Sequence, residues 1–401
     1  MIPIPALPAE PPTLARPAIV APGAREVSFG TVSGRVDSRT ARVIVKVDDN
    51  VVAELEPSPE TSSGGFPRRI PFRVHVDLPP RNVTLRVVAV DGAGSRTAAS
   101  VSPVYGLPAA ARPRTILGEE DAVLAQRIRE LAQGYPGVAA VFVQDLRTGR
   151  GAAWNAKARY MGASTLKLGI AIEVLRVLGA KPRPRTRIGQ LFNNMLVLSS
   201  NRAANDLEIW LGGSTTGGSA RVTTTLHYLG LTDSAIYGGY VLGTSTRRPI
   251  PLRVESQPPY FVTGKYSTAW DLARLHRMLH RAAAGGGPLL QLPGQFTASD
   301  ARYMLYTLAH VRDTGKLDRY IGERAGVSVL HKAGWISQAR HDTGLVFWRE
   351  GAFVATVMTW SSSGAGMSSD ILAGRIAEAA LDRFSALPAP RLDPHSWRLQ
   401  S

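Results

Sequence analysis

Cysteine is absent from all 401 residues of this chain. Without it there is no disulfide framework, no thiolate ligand for zinc or an iron–sulfur cluster, and no cysteine nucleophile. Long hydrophobic runs are also missing, because the longest, such as Phe353–Trp360, are far too short to span a bilayer. The first residues, MIPIPALPAEPP, lack the basic and apolar regions of a signal peptide. We expect that a leader has been removed or that the protein has none.

Lysine is scarce, with 7 lysines against 40 arginines in a chain of net charge +16. The positive charge is spread along the chain, and no RNA-recognition, zinc-finger or basic-helix pattern accompanies it, so we expect no nucleic-acid partner. The densest basic cluster, Lys181–Arg187, is interrupted by prolines and is predicted to be an exposed loop. An anionic polymer of the cell envelope fits this charge better.

Composition and periodicity divide the chain into five segments. These are a Pro-rich tail (1–25), a small β-sandwich (26–105), a linker (106–117), a main domain (118–386) and a C-terminal tail (387–401). Alternation such as Val43, Val45 and Val47, with turn residues between the runs, predicts the sandwich. The stretch RVVAVDGAGSRTAASVSPV resembles the last hairpin of bacterial immunoglobulin-like modules, and we expect this part to act as a spacer.

The main domain is predicted to have an α+β fold. A helix near Glu119–Gln133 precedes two strands, and three strands near the end precede a closing helix over Asp370–Phe384. The region between is mostly helical. This order predicts an antiparallel sheet flanked by helices, with an additional helical subdomain.

Ser164 and Lys167 form the first motif of chemical interest. The run that follows them is apolar on nearly every side, so it predicts a buried helix that starts near Ser164. Residues three apart share a helix face, which brings the lysine amine within reach of the serine hydroxyl. A lysine can activate a serine only if its pKa is lowered. Taken alone, a capping serine followed by a solvated lysine is the commoner explanation.

Two further motifs follow along the chain. Ser199 and Asn201 stand at the predicted start of a helix, where a serine that caps the helix is the simple alternative. Lys332 lies on a late strand, and Gly334 two residues later permits close approach of a ligand to the backbone. A lysine that protects an edge strand is the alternative there.

Together these motifs resemble those of the serine β-lactamase and penicillin-binding protein superfamily, nearest to class A β-lactamases. The segments that carry the resemblance are RYMGASTLKLGIAIEVL, LVLSSNRAANDL and LHKAGW, and it covers roughly residues 118–386. The resemblance implies that Ser164 is the acyl-enzyme nucleophile and that Lys167 is its base or proton relay. It also implies that Ser199 passes a proton to the leaving amine, that Asn201 binds the substrate amide and that Lys332 holds the substrate carboxylate.

The resemblance assigns further residues to substrate binding. Ala333, Gly334 and Trp335 would line the site, and the backbone N–H groups of Trp335 and the nucleophile would form an oxyanion hole. Asn205 matches an asparagine that supports the active-site loops. Arg340 matches loosely a residue that reaches a substrate carboxylate.

Two departures from the family pattern affect the expected activity. Ala333 replaces a Thr or Ser whose hydrogen bond to a substrate carboxylate would contribute roughly 1.5–3 kcal/mol. The E-x-x-L-N loop of class A enzymes, whose Glu activates the deacylating water, is also missing. Of Glu208, Glu255 and Glu323, only Glu255 is a positional candidate, and a solvated loop residue is the commoner explanation for it. The stretch up to Tyr260 is a candidate lid. We therefore expect the acyl-enzyme to persist.

Histidines offer no rival mechanism. His276 and His280 are predicted to be a pair on a helix surface without a third ligand, so we expect neither a metal site nor a cofactor. We expect a small-molecule or peptide substrate, namely a β-lactam or a D-alanyl-type peptide or amide. Two other functions stay open: a non-catalytic envelope-binding protein, and an acyltransferase or amidase that acts on a small metabolite. The resemblance implies a secreted or envelope-associated location.

Overall fold

The computed structural model describes residues 13–57, 69–240 and 265–388. Glu255 and the stretch up to Tyr260 lie outside these ranges, as does part of each predicted tail. No helix within the described ranges is long and apolar enough to cross a bilayer.

Two small sheets form the N-terminal part. Their strands are β1 (Ala18–Ala21), β2 (Glu26–Ser28), β3 (Thr31–Asp37), β4 (Thr40–Val47), β5 (Asn50–Leu55), β6 (Arg69–His75), β7 (Asn82–Asp91) and β8 (Arg96–Gly106). The strand orders are β1-β3-β6 and β2-β8-β7-β4-β5. Val43 and Val45 lie in the core that these sheets enclose. The predicted β-sandwich is thus confirmed, whereas its immunoglobulin-like class stays a prediction.

A six-stranded sheet forms the centre of the main domain. The strands here are β9 (Glu119–Glu120), β10 (Val138–Asp145), β11 (Arg150–Trp154), β12 (Tyr160–Met161), β13 (Tyr266–Ser267), β14 (Ser328–Ile336), β15 (Ala339–Trp348) and β16 (Gly351–Trp360). The central sheet has the order β14-β15-β16-β10-β11-β9, and β12 pairs with β13. The early strand β10 lies antiparallel to the late strand β16, which confirms the predicted sheet.

Helices cover both faces of this sheet. They are α1 (Ala122–Gln133), α2 (Lys167–Leu178), α3 (Arg187–Val197), α4 (Asn201–Gly212), α5 (Thr215–Tyr228), α6 (Ala269–Ala283), α7 (Ala298–Leu308) and α8 (Met367–Ser385). Because strand residues alternate between faces, Val141 and Val143 of β10 pack with α1 and α8, and Phe142 packs with α6. The predicted α+β fold is confirmed.

Helix α1 begins later than the sequence predicts. Asp121 is its N-cap, and its carboxylate accepts a hydrogen bond from the Leu124 N–H at 3.0 Å. Glu119 and Glu120 before the cap form a short strand parallel to β11. The predicted tail over 1–25 likewise contains a strand, since β1 pairs with β3.

The N-terminal sandwich packs directly on the main domain instead of standing apart as a spacer. Val27 and Phe29 belong to the same buried core as Phe347 of β15. Leu107 and Ala111, in the segment predicted to be a linker, are buried in that core as well. Pro and Ala in this segment suggested an open linker, but alanine is small enough to fill a close contact between two domains.

A buried carboxylate joins the two parts. Glu26 of β2 accepts hydrogen bonds from Lys181 Nζ at 2.5 Å, from Arg302 Nε at 2.5 Å and from Ser299 Oγ at 2.6 Å. Burial by itself would raise the pKa of Glu26, but Arg302, Lys181 and Ser299 lower it below its ordinary value. The contribution of this carboxylate to stability is therefore present above the pKa of an unfolded Glu and is lost as the pH falls through the lower folded pKa.

We predict that Glu26→Gln lowers the free energy of unfolding by about 3–5 kcal/mol, because it leaves Lys181 and Arg302 without their counter-charge. Urea unfolding at pH 7 measures the change. Glu54→Gln is the control, since its pair with Arg42 is exposed and is worth at most about 1 kcal/mol. Equal losses in the two variants would contradict a special role for Glu26.

Candidate active site

Ser164 and Lys167 lie on one turn of helix. A 3-10 helix over Ala163–Leu166 leads directly into α2, whose first residue is Lys167. Lys167 Nζ is 2.9 Å from Ser164 Oγ. The lysine is fully buried, whereas Ser164 is half-buried and accessible from outside. The i, i+3 geometry expected from the sequence is present.

Ser199 occupies a tight connection between α3 and α4. Its φ is 55°, a left-handed value that is uncommon for a residue with a side chain. Ser200 is the N-cap of α4 and accepts a hydrogen bond from the Ala203 N–H at 3.2 Å. The capping serine that the sequence offered as an alternative is therefore Ser200, which leaves Ser199 free to turn toward the lysines.

The Lys167 amine is surrounded by oxygen atoms. It lies 2.6 Å from the Ser199 carbonyl oxygen, 2.8 Å from Asn201 Oδ1 and 3.5 Å from Ser199 Oγ. Burial, and then the positive charge of Lys332, lower the pKa of Lys167 to about 6, against the opposing charge of Glu208. At neutral pH the amine is largely unprotonated, so it is able to accept the proton of the Ser164 hydroxyl.

Lys332 lies on the edge strand β14 and completes a chain of polar groups. Its Nζ donates hydrogen bonds to Ser199 Oγ and to the Ala333 carbonyl oxygen, both at 2.8 Å. Burial lowers the pKa of Lys332 to about 8, although Asp313 and Asp342 oppose the shift. Ser199 Oγ thus stands between two lysine amines, which is a suitable arrangement for proton transfer.

Gly334 brings β14 against the nucleophile. A Cβ at this position would lie 2.6 Å from the Ser164 nitrogen and 2.8 Å from the Thr165 nitrogen, closer than real Cβ atoms approach. The sequence suggested that a ligand approaches this glycine, but the close approach is made by the backbone of Ser164 and Thr165. Trp335 follows on the strand, and its side chain is 61% exposed. An oxyanion hole formed by the N–H groups of Ser164 and Trp335 stays a prediction.

Arg340 has a partner that the sequence did not suggest. Both of its bonding nitrogens lie 2.6 Å from the carboxylate oxygens of Asp370 on α8. This bidentate pair uses the same guanidinium fork that a substrate carboxylate would need. Contact of Arg340 with substrate is therefore not supported by its surroundings, since Asp370 already binds it.

Asn205 braces the loop that follows α5. Its Oδ1 accepts a hydrogen bond from the Tyr240 N–H at 2.5 Å. The Tyr240 ring centroid lies 4.8 Å from Lys167 Nζ and 4.8 Å from Lys265 Nζ. Tyr240 thus places an aromatic face, not a carboxylate, beside the lysine of the first motif.

Glu208 is a residue of the site that the sequence analysis set aside. It is fully buried on α4, and its carboxylate oxygens make no hydrogen bond to any other described residue. Burial raises the pKa of Glu208, and the charges of Lys265 and Lys167 oppose that shift. Asn201, Asn205 and Glu208 are spaced i, i+4 and i+7, so they share one face of α4. That spacing was the available signal.

A group of three potential metal ligands comes together within the described ranges. The ligand atoms of Asp318, His331 and Asp342 lie within 4.8 Å of one another. His331 Nδ1 is 2.7 Å from Asp342 Oδ2, and Asp342 also accepts hydrogen bonds from the N–H groups of Leu317 and Thr343. Protein donors therefore satisfy this carboxylate. The absence of a metal site stays a prediction.

His276 and His280 are buried, and the prediction of a surface pair was wrong. Both lie on α6, which packs between the sheet and α7. His280 Nε2 is 2.7 Å from the Ala111 carbonyl oxygen, and burial lowers the pKa of both rings to about 3 and about 4, respectively. The two residues are part of the domain core.

The fold is that of the serine β-lactamase and penicillin-binding protein superfamily. A family model described as "Beta-lactamase enzyme family" matches residues 123–181 and 178–384. Because this match covers more than half of the sequence, the chain belongs to the beta-lactamase enzyme family. It is a serine hydrolase of that superfamily by fold and family.

Solved structures support the same fold. The structure of PBP-A is 17% identical, with a TM-score of 0.54 over 70% of this chain and 100% of that chain. A beta-lactamase from Sphaerobacter thermophilus DSM 20745 is 19% identical, with a TM-score of 0.51 over 67% and 99%. A mutant of PBP-A in an acyl-enzyme complex with penicillin G is 17% identical, with a TM-score of 0.50 over 69% and 99%. A comparison with curated proteins gave no match.

The positive charge of Lys332 should have a measurable effect on the pKa of Lys167. We predict that Lys167 titrates near pH 6 and that Lys332→Met moves this titration to higher pH, because it removes a nearby positive charge. NMR of protein labelled at lysine Cε follows the seven lysines individually. The exposed Lys157→Met is the control, and an unshifted Lys167 in Lys332→Met would refute the coupling.

Glu208 should shift the pKa of Lys167 in the direction opposite to the shift caused by Lys332. Its negative charge raises the pKa of Lys167, so we predict that Glu208→Gln moves the Lys167 titration to lower pH. The same NMR titration measures this shift, and glutamine keeps the size of the side chain. A shift to higher pH, or none, would mean that Glu208 stays uncharged wherever Lys167 titrates.

Proposed function

We propose that this chain is a serine hydrolase that forms an acyl-enzyme on Ser164 with β-lactams or D-alanyl-type peptides and amides, and that it deacylates slowly. The observation that carries the proposal is the 2.9 Å contact of a deeply buried Lys167 amine with Ser164 Oγ. Burial of an amine costs stability, and amines whose pKa is lowered in this way are typical of catalytic sites. The Ser164 hydroxyl beside the amine is the group that it would activate.

Acylation follows from the contacts of the two lysines. Lys167 takes the proton of Ser164 as Oγ attacks the carbonyl carbon. The N–H groups of Ser164 and Trp335 stabilise the oxyanion, an effect typically worth about 3–4 kcal/mol. When the carbon–nitrogen bond breaks, Ser199 gives its proton to the leaving amine, and a lysine on either side restores that proton.

Three observations support slow deacylation. Among the described residues, the hydrogen-bond partners of Lys167 are Ser164, Ser199 and Asn201, and none of them offers a carboxylate. Glu208, whose charge acts on Lys167, is fully buried. A mutant of PBP-A, which is similar in fold, has been solved as an acyl-enzyme complex with penicillin G. Glu255 lies outside the described residues and is the residue to test if turnover is fast.

The alternatives differ in their reaction at Ser164. A non-catalytic envelope-binding protein would not need an amine of lowered pKa beside its serine, which favours an enzyme. An acyltransferase or amidase for a small metabolite would use the same chemistry with little affinity for penicillins. A secreted or envelope-associated location belongs to the proposal, in keeping with the substrate class.

We predict that penicillin G forms a covalent adduct that intact-protein mass spectrometry detects and that persists while the free drug stays largely unhydrolysed. Ser164→Ala should form no adduct. An adduct that disappears together with drug hydrolysis would contradict slow deacylation, and loss of that turnover in Glu255→Gln would identify the missing base. No adduct with penicillin, but labelling of Ser164 by a fluorophosphonate, would favour the metabolite enzyme. Labelling by neither reagent would favour the binding protein.

We predict that Ala333→Ser accelerates acylation by penicillin G by about 10- to 100-fold, because the added hydroxyl donates a hydrogen bond to the drug's carboxylate. The rate constant of adduct formation under pseudo-first-order conditions measures the change. Ala333→Val, which adds volume without a donor, is the control. An equal acceleration in both variants would refute the hydrogen-bond explanation.

A further inference from the structure

A cleft of about 660 Å³ lies outside the catalytic residues, between α3, α7 and the segment that leads into β2. Neither of the two catalytic lysines lines it, and neither do Ser164 or Ser199. Its walls do reach the connection between α3 and α4 that carries Ser199, which we call the catalytic loop. The Asn194 carbonyl oxygen accepts a hydrogen bond from the Ser200 N–H, and the Val197 carbonyl oxygen accepts one from the Arg312 N–H.

One wall of the cleft is rich in side-chain amides. Gln190, Asn193 and Asn194 follow one face of α3 and are exposed. Amide groups offer both donors and acceptors, so a row of them suits a ligand whose surface carries many hydroxyl groups.

The facing wall is aromatic and held in place. Tyr303 and Tyr306 project from α7, and His310 follows the helix. The Tyr306 and His310 rings lie 4.4 Å apart, and the Arg25 guanidinium lies over the Tyr303 ring at 5.1 Å. His310 is also bonded to Asn82 of the sandwich, with 3.0 Å between Nδ2 and Nε2. These contacts prearrange the wall before a ligand arrives.

The charged side chains that line the cleft are positive in the described part of the chain. They are Arg25 and Arg312, and no acidic side chain of the described residues lines it. The neighbouring loop adds three exposed arginines, Arg183, Arg185 and Arg187. None of these five arginines forms an ion pair within the described part of the chain. Unpaired guanidinium groups at a concave surface favour an anionic ligand, because they bind carboxylates with paired hydrogen bonds.

We propose that this cleft binds an acidic oligosaccharide, a glycan segment that carries carboxylate groups. The amides match its hydroxyl groups, and the arginines match its charge. Single-stranded nucleic acid fits less well, since Arg25 and His310 already cover the faces of Tyr303 and Tyr306 on which bases would stack. The cleft would hold a glycan beside the catalytic loop without taking part in acyl transfer.

Binding is tested with the full-length Ser164→Ala protein, so that the result does not depend on the proposed acyl-enzyme chemistry. Isothermal titration calorimetry at 150 mM salt compares hexagalacturonate, which carries carboxylates, with the neutral maltohexaose. We expect one site per chain and at least about tenfold tighter binding of the acidic sugar. Phosphate-linked dT6 is the third probe, and we expect it to bind more weakly than hexagalacturonate.

Matched variants locate the site. Arg312→Ala and Asn193→Ala, both at exposed positions, should each weaken hexagalacturonate binding about three- to tenfold. Arg349→Ala removes an exposed arginine outside the cleft and should leave the affinity unchanged. Thermal unfolding confirms that each variant is folded.

Three results would overturn the proposal: no binding of hexagalacturonate, an equal loss of affinity in Arg349→Ala, or tighter binding of dT6. The second would mean attraction to overall charge, and the third would mean a nucleic-acid site.

Discussion

The amine of Lys167 is buried in a domain core and kept neutral by that burial and by a second buried amine. The positions of Lys332, Gly334 and Ser199 are related to this constraint. Lys332 has to lie close enough to repel a proton from Lys167, which requires β14 to pass directly beside the start of α2. Only a glycine at position 334 permits that approach, since a Cβ there would collide with the backbone nitrogen of Ser164. The close contact between the edge strand β14 and Ser164 thus serves to lower the pKa of Lys167.

Ser199 shows how the backbone serves this arrangement. Ser199 has a left-handed φ, and the two adjacent serines have different roles. Ser200 caps α4, and Ser199 bridges the two amines. Tyr240 then lies over Lys167 where a more polar residue would admit water more readily, and Asn205 holds it there. These contacts are the structural basis on which we propose slow deacylation.

Much of the main domain could be predicted because its signals are local. The i, i+3 spacing of Ser164 and Lys167, the apolar run after them and the alternation along β10 and β16 each depend on neighbouring residues. The sequence could not supply partners that come from distant elements, such as Asp370 for Arg340 or Ala111 for His280. Glu208 differs from these, because its i, i+4 and i+7 spacing with Asn201 and Asn205 on α4 is itself a local signal. The domain border was hidden because Leu107 and Ala111 lie in a segment whose composition is typical of linkers.

The border between the sandwich and the main domain has a consequence for unfolding. Val27, Phe29 and Leu107 are buried with residues of the main domain, so the core of the main domain loses part of its cover when the sandwich is removed, whereas the sandwich keeps a core of its own around Val43 and Val45. Heat or denaturant that loosens the sandwich also exposes the inner side of β15 and α7 to water, and the loss of one part promotes the loss of the other. We therefore expect the unfolding of the two parts to be coupled, and a protease that removed the sandwich would uncover apolar surface of the main domain.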